Sequence, residues 1–209
     1  FVTPKTTIGA VFSGTAIQRK SNGDASATWM DAEGNIDSAI TTTSTNNNHF
    51  KSGSVNLNLR HTINQSQDIA MDIDWLNYSM TNQPTFKNEL DAAGGYKEAN
   101  QGNISSVIHI ISGKADHTLR MAKNTTLQSG IKLSQISTDN ASVFQVYDGN
   151  GWQADNGKSN HFVYKENINA LYSNIETKYQ RFSMQAGLRY EGTAYDASQL
   201  GNTIQKDSS

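Results

Sequence analysis

Phe182-Ser183-Met184-Gln185-Ala186-Gly187-Leu188-Arg189-Tyr190-Glu191 decides the fold. Every second residue of it (Phe182, Met184, Ala186, Leu188, Tyr190) is apolar, and the residues between are polar or glycine. A β-strand turns that period of two into one apolar and one polar face. The same alternation sets Val55, Leu57 and Leu59 against Asn56, Asn58 and Arg60, and Ile69, Met71, Ile73 and Trp75 against Asp72 and Asp74. Weaker versions run through 8–18, 104–114 and 127–136, and a longer one from Phe162 through Tyr164, Ile168 and Ala170 to Tyr172. Seven strands are predicted. Residues 89–100 could hold a helical turn, but Gly94-Gly95 disfavours it.

Composition narrows the function classes. Hydrophobic residues are 35 % and charged residues 17 % of the 209, both below the usual share, with Ser, Thr, Asn and Gln filling the gap. Such a chain suits alternating strands and polar connections better than helices. The net charge is −2, and no basic cluster exceeds Arg19-Lys20, so nucleic acid is excluded as a partner. The absence of cysteine removes disulfides, thiolate metal sites and cysteine nucleophiles. No apolar run approaches the ~18 residues of a spanning helix, and no signal peptide opens the chain. Both ends read as cut from something longer.

The connections also carry information. Polar stretches at 19–49, 81–102 and 139–160 are expected to be long loops, alternating with short links at 64–67 and 177–179 and a middling one at 117–123. Long loops gathered at one end of a sheet and short turns at the other are the mark of an outer-membrane β-barrel. Residues 182–190 span roughly 26 Å along a strand. Tilted by ~40°, that nearly fills the ~25 Å apolar band of such a barrel. Phe182 and Tyr190 then sit at its two interfaces, and Tyr164 and Tyr172 are expected to bracket the neighbouring strand in the same way.

A register follows if the last turn centres on Lys178: Tyr172 faces Met184, Asn167 faces Arg189, and Lys165 pairs with Glu191. A turn centred on Ser66 sets Arg60 opposite Asp72. Glu166 shares parity with Tyr164 and Ile168, so this scheme needs it at a rim or on a bulge.

Catalytic and metal chemistry finds little support. The histidines (49, 61, 109, 117, 161) lack ligand spacing. Asp31-Ala32-Glu33-Gly34-Asn35-Ile36-Asp37 has its glycine at the fourth position, not the sixth that a calcium loop needs. It reads as a turn through Gly34-Asn35, and 148–151 reads likewise. Asp72 and Asp74 share a strand face and could do acid–base work, but a solvated polar face suits them better. No phosphate loop, nucleophile elbow or zinc-protease helix occurs. The expectation is a protein without catalytic residues, cofactor or metal site.

Phe162 to Tyr172, with its Tyr-x-Glu-x-Ile-x-Ala-x-Tyr string, and Gln185 to Thr193, with Gly-Leu-Arg-x-Glu-x-Thr, resemble the TonB-dependent receptor barrels. More narrowly they resemble the outer-membrane β-barrel family common in Bacteroidetes. Leu200-Gly201-Asn202 and Asp207-Ser208-Ser209 match the loop that follows in that family. Ile8-Gly9, Phe12-Ser13-Gly14 and Asp72-Ile73-Asp74 also fit, more loosely. The resemblance implies structural roles for Tyr164, Glu166, Ile168, Ala170, Tyr172, Gly187, Leu188, Arg189, Glu191 and Thr193, and carries over no ligand residue. It implies a barrel of about 22 strands with an N-terminal plug, which imports a scarce metal chelate, vitamin or glycan.

The expected fold is therefore all-β: an antiparallel up-and-down meander of about seven strands, part of a larger transmembrane β-barrel. Residues 1–209 are one partial barrel domain, with plug and remaining strands absent. Its expected surroundings are outer-membrane lipid, the rest of the barrel, the plug, TonB acting through segments elsewhere, and a surface lipoprotein. A soluble or surface β-sandwich that binds glycans through Trp29 and Trp152 is the alternative. A fragment of this kind exposes two sheet edges and an apolar face, and is expected to aggregate, pair with a copy or need detergent.

Overall fold

Alternating residues put every backbone N–H and C=O in the plane of a sheet, and here each strand finds its partners in its sequence neighbours. The computed structural model describes residues 3–92, 94–201 and 205–208. Seven long strands form: β1 (Thr6–Met30), β2 (Ile36–Asn64), β3 (Gln67–Asp91), β4 (Lys97–Ala122), β5 (Thr125–Tyr147), β7 (Asn160–Tyr179) and β8 (Phe182–Gln199). Two short ones, β6 (Trp152–Ala154) and β9 (Gln205–Ser208), accompany them. The sheet is antiparallel in the order β1-β2-β3-β4-β5-β7-β8-β9, with β6 on β5. This is the expected meander. Among the described residues no second sheet and no helix covers it.

Met184, Leu188 and Tyr190 are accordingly 69 %, 86 % and 75 % exposed. A soluble sandwich would bury them, so that alternative is withdrawn. In a single layer only neighbours in the sheet can shield a side chain. Among the described residues the buried ones are Ala170, Pro84 and one polar residue, Asp68.

The expected loops are a correction. Residues 19–30 and 36–49 are paired strand, as are 81–91 with 97–102 and much of 139–147. The strands run 18 to 29 residues, about twice what crosses a membrane. The end asymmetry survives in another form. One end has two-residue turns at 65–66, 123–124 and 180–181, and the other has longer links at 31–35, 92–96 and 148–159. Gln180 takes a left-handed φ of 52° in its tight turn. Gln205–Ser208, expected as loop, pairs with the end of β8. Asn202 and Ser209 lie outside the described residues.

The register also differs. Tyr179 pairs with Phe182, so Tyr172 faces Arg189, Ala170 faces Glu191 and Lys165 faces Asp196. Arg60 faces Ala70, and Asp72 faces Asn58. The β2–β3 error is two residues, which preserves the faces. The β7–β8 error is five, and an odd slip exchanges them. Tyr164, Ile168, Ala170 and Tyr172 therefore share the face of Arg189 and Glu191, not that of Leu188 and Tyr190. Glu166 needs neither rim nor bulge, since its face is the polar one. Tyr164 and Tyr172 are not girdle residues.

Across the sheet, the apolar face carries Leu57 and Leu59, Met71 to Trp75, Ile111, Ile131 and Leu133, Leu171 and Ile175, and Phe182 to Tyr190. This belt slants. The rank through Asp72 runs across Lys114, Lys132 and Ala170 to Glu191. Asp72 is the centre of the apolar run on β3, but on β8 that centre is Ala186, five residues before Glu191, after four strand steps. At ~3.3 Å per residue and ~4.8 Å between strands, a level belt requires a strand tilt of roughly 40°. Transmembrane barrels tilt by ~35–45°.

Candidate functional site

The face opposite the belt is built in two tiers. Behind the belt it is charged. Asp68 accepts from Thr62 Oγ1 at 2.9 Å and pairs with Arg120 at 2.6 Å. Asp74 accepts from Asn56 at 2.7 Å and from Ser112 at 3.3 Å. Lys114 pairs with Asp116 at 2.7 Å, and Arg189 pairs with Glu191. Asp68, Lys114, Asp116 and Arg189 line a groove of about 610 Å³ together with Arg60, Lys132 and Tyr172.

Tyr172 ties this tier together. Its ring lies over Gly130, its partner on β5, where an added Cβ would sit 2.5 Å from the ring. Its hydroxyl donates to Asp116 Oδ1 on β4 at 2.5 Å, and the Arg189 guanidinium on β8 lies 5.7 Å from the ring centre. One side chain thus touches groups on three other strands, which only a side-chain-free position at 130 permits. Ala170, one rank along, fits beneath the long side chains of this tier.

Arg120→Ala is expected to cost about 1–3 kcal/mol, because it strips a buried carboxylate of its charged partner. Equilibrium unfolding of the full-length barrel reads this, and a change within error would show that Thr62 alone satisfies Asp68.

Towards the longer links the same face becomes aromatic. Phe162 stacks with Tyr164 at 6.5 Å and Tyr164 with Tyr195 at 6.2 Å, while Phe50 and Tyr78 lie 6.4 Å apart. Burial among rings, then the Glu166 carboxylate, raises the Tyr164 phenol above its usual range. Ile168 and Thr193 face each other between the tiers, and Gly187 faces Asn174. The amide oxygens of Asn46, Asn82 and Asn100 are buried here without a hydrogen-bond partner, and Asn100 is held by donating to Glu98 at 2.9 Å. Sequence alternation showed only the Phe162 and Tyr164 part of this tier, because Phe50 and Tyr78 sit in stretches left unassigned.

The links at the far end are turns, as expected. Asp31 accepts from the Asn35 backbone at 2.8 Å and from Glu33 at 3.1 Å, with Gly34 at φ 86°. Asp148 accepts from the N–H groups of Asn150 and Gly151, both at 2.9 Å, and these hold its carboxyl below its usual value. A depressed folded value means that the stabilisation is present above the unfolded pKa, ~3.9, and is lost as pH falls through the folded one. The amide shifts of Asn150 and Gly151 are therefore expected to titrate with a midpoint below ~3.9. A midpoint at or above that value would remove the carboxylate's role in the turn. The five histidines all fall on the apolar-belt face and on separate stretches of strand; His61 bonds Thr6, His117 bonds Gln67 and His161 bonds Asp139.

The profile of the outer membrane protein beta-barrel family matches residues 61–209. No curated protein sequence matches the chain significantly. Among solved structures it is similar to the siderophore receptor PiuA from Acinetobacter baumannii, at 8 % identity and TM-score 0.44, over 99 % of this chain and 45 % of that one. It is also similar to the ferric citrate transporter FecA, at 7 % identity and TM-score 0.35, over 98 % and 40 %. The ferric-catecholate import receptor Fiu from E. coli K12 gives 11 % and 0.36, over 98 % and 46 %. The chain spans less than half of each.

Proposed function

The chain belongs to the outer membrane protein beta-barrel family, and from that premise we propose that it is a wall segment of a TonB-dependent receptor importing a scarce ligand. Its compartment is the bacterial outer membrane, and lipid meets the apolar belt. One observation supports the importing role above others: a charged tier stands directly behind that belt. Arg60, Asp68, Asp72, Lys114, Lys132 and Arg189 at membrane depth demand a water- or protein-filled interior. Among the described residues Arg60, Asp72 and Lys132 make no ion pair, so a plug with complementary side chains suits this surface.

In this reading residues 1–209 are a partial barrel domain, completed by further strands, an N-terminal plug, and TonB acting through that plug. A surface lipoprotein meets the far end, and the source is a member of the Bacteroidetes. Tyr164, Glu166, Ile168, Ala170, Tyr172, Gly187, Leu188, Arg189, Glu191 and Thr193 serve structure: Tyr172 and Arg189 brace the charged tier, Tyr164 the aromatic one, and Leu188 the lipid face. The imported solute meets the aromatic tier, where rings and unpartnered amide oxygens await it.

The test deletes the whole gene in the source bacterium and, separately, the gene for the energising inner-membrane protein. Both strains are grown on limiting ferric chelates, cobalamin and oligosaccharides. The expected result is loss of growth on one nutrient class in both strains. Unaltered growth of the first strain across the panel would overturn the importing role.

A further inference from the structure

Beyond the belt, the lipid-facing side of β2–β5 changes chemistry without changing direction. On β3 the first outward residues after Trp75 are Asn77, Ser79, Thr81, Gln83 and Thr85, before the charged Lys87, Glu89 and Asp91 at the strand's end, and on β4 they include Ser105, Asn103 and Gln101. From the belt's edge to the rank of Thr85, the outward side chains of these four strands carry only Lys51 and Asp139 as fixed charges. From Trp75 to Thr85 strand β3 runs ten residues, roughly 33 Å along its length. A protein surface of this extent that faces bulk water usually carries ~25–35 % charged residues, and this one does not.

It is also shaped. A groove of about 500 Å³ runs across the four strands, lined by Asn47, Gln83, Gln101, Asn103 and Gln145. Within it Gln101 Nε2 donates to Gln145 Oε1 at 2.7 Å. That bond orients both amides and leaves Gln101 Oε1 and Gln145 Nε2 free to bond a visitor. The edge-on Tyr147–Trp152 pair, 5.5 Å between ring centres, begins one outward position beyond Gln145 on β5. Neutral amides and hydroxyls beside an aromatic face are the chemistry that binds sugar hydroxyls and C–H edges.

We propose that this wall binds the saccharide portion of the outer leaflet's glycolipid, lipopolysaccharide. The occupant follows from continuity. The groove lies on the same face as the belt, directly above it, so it meets what stands above the acyl chains. Because the wall faces away from the barrel interior, the inference is independent of the importing role, and nutrient uptake tests that role separately.

The experiment uses the full-length protein in detergent and measures its affinity for whole lipopolysaccharide and for the lipid A portion freed of saccharide by mild acid. The wild type is expected to prefer the whole glycolipid by about tenfold, the worth of one or two net hydrogen bonds. The preference should vanish in Gln101→Ala/Gln145→Ala and diminish in Gln83→Ala, with heat-modifiable migration reporting that each barrel is folded. Equal affinity of the wild type for both probes would overturn the proposal. So would a preference that survives in folded barrels of both variants.

Discussion

Leu188→Arg is expected to destabilise the membrane-inserted barrel by about 2–4 kcal/mol, the cost of a cationic side chain on the lipid face near the bilayer midplane. Leu188 is the most exposed large apolar residue among those described, at 86 %, and stands one outward position from Ala186, the centre of the apolar run on β8. The matched change on the other face is Gln185→Arg. It places the same charge three residues away, opposite Glu176, and is expected to cost within about 0.5 kcal/mol. Equilibrium unfolding of the full-length barrel in phosphatidylcholine vesicles compares the two. Equal costs would mean that β8 does not separate lipid from interior, and the slanted belt would lose its meaning.

Gly130→Val is expected to cost about 1–3 kcal/mol by overpacking. A Cβ at this position would lie 2.5 Å from the Tyr172 ring and 2.6 Å from Asp116 Oδ1. The ring must therefore leave, and its hydroxyl must release Asp116. Because one contact carries the penalty, the double variant Gly130→Val/Tyr172→Ala should cost less than the sum of the two single changes. Additive costs would show that the ring is not held over Gly130, and the bracing role of Tyr172 would fall with it.

How much of this was legible beforehand depends on the signal each feature leaves. The belt residues of β2, β3 and β8 were readable because lipid contact selects apolar side chains at every second position. The stretches 19–30, 36–49 and 81–91 were not, although they form the same sheet. Their strands are held by backbone hydrogen bonds, to which Thr, Asn and Ser outside a membrane are indifferent. The Phe50 and Tyr78 part of the aromatic tier was hidden for that reason.

The motif residues show the division most clearly. Tyr164, Glu166, Ile168, Ala170 and Tyr172 were visibly one face of one strand, because period two fixes relations within a strand. Which face of β8 they join depends on the turn, and Gln180-Arg181 closes it more tightly than a turn centred on Lys178. By itself the sequence determined the all-β meander, the lipid-facing residues of β2, β3 and β8, and the unequal ends. Only the tertiary structure decided the registers, the strand tilt, the charged and aromatic tiers, and the reach of Tyr172 to Asp116. The physical reason is that alternation is local, whereas the pairing of one strand with the next is set by turn geometry and by contacts such as the Tyr172 ring over Gly130, between residues far apart in the chain.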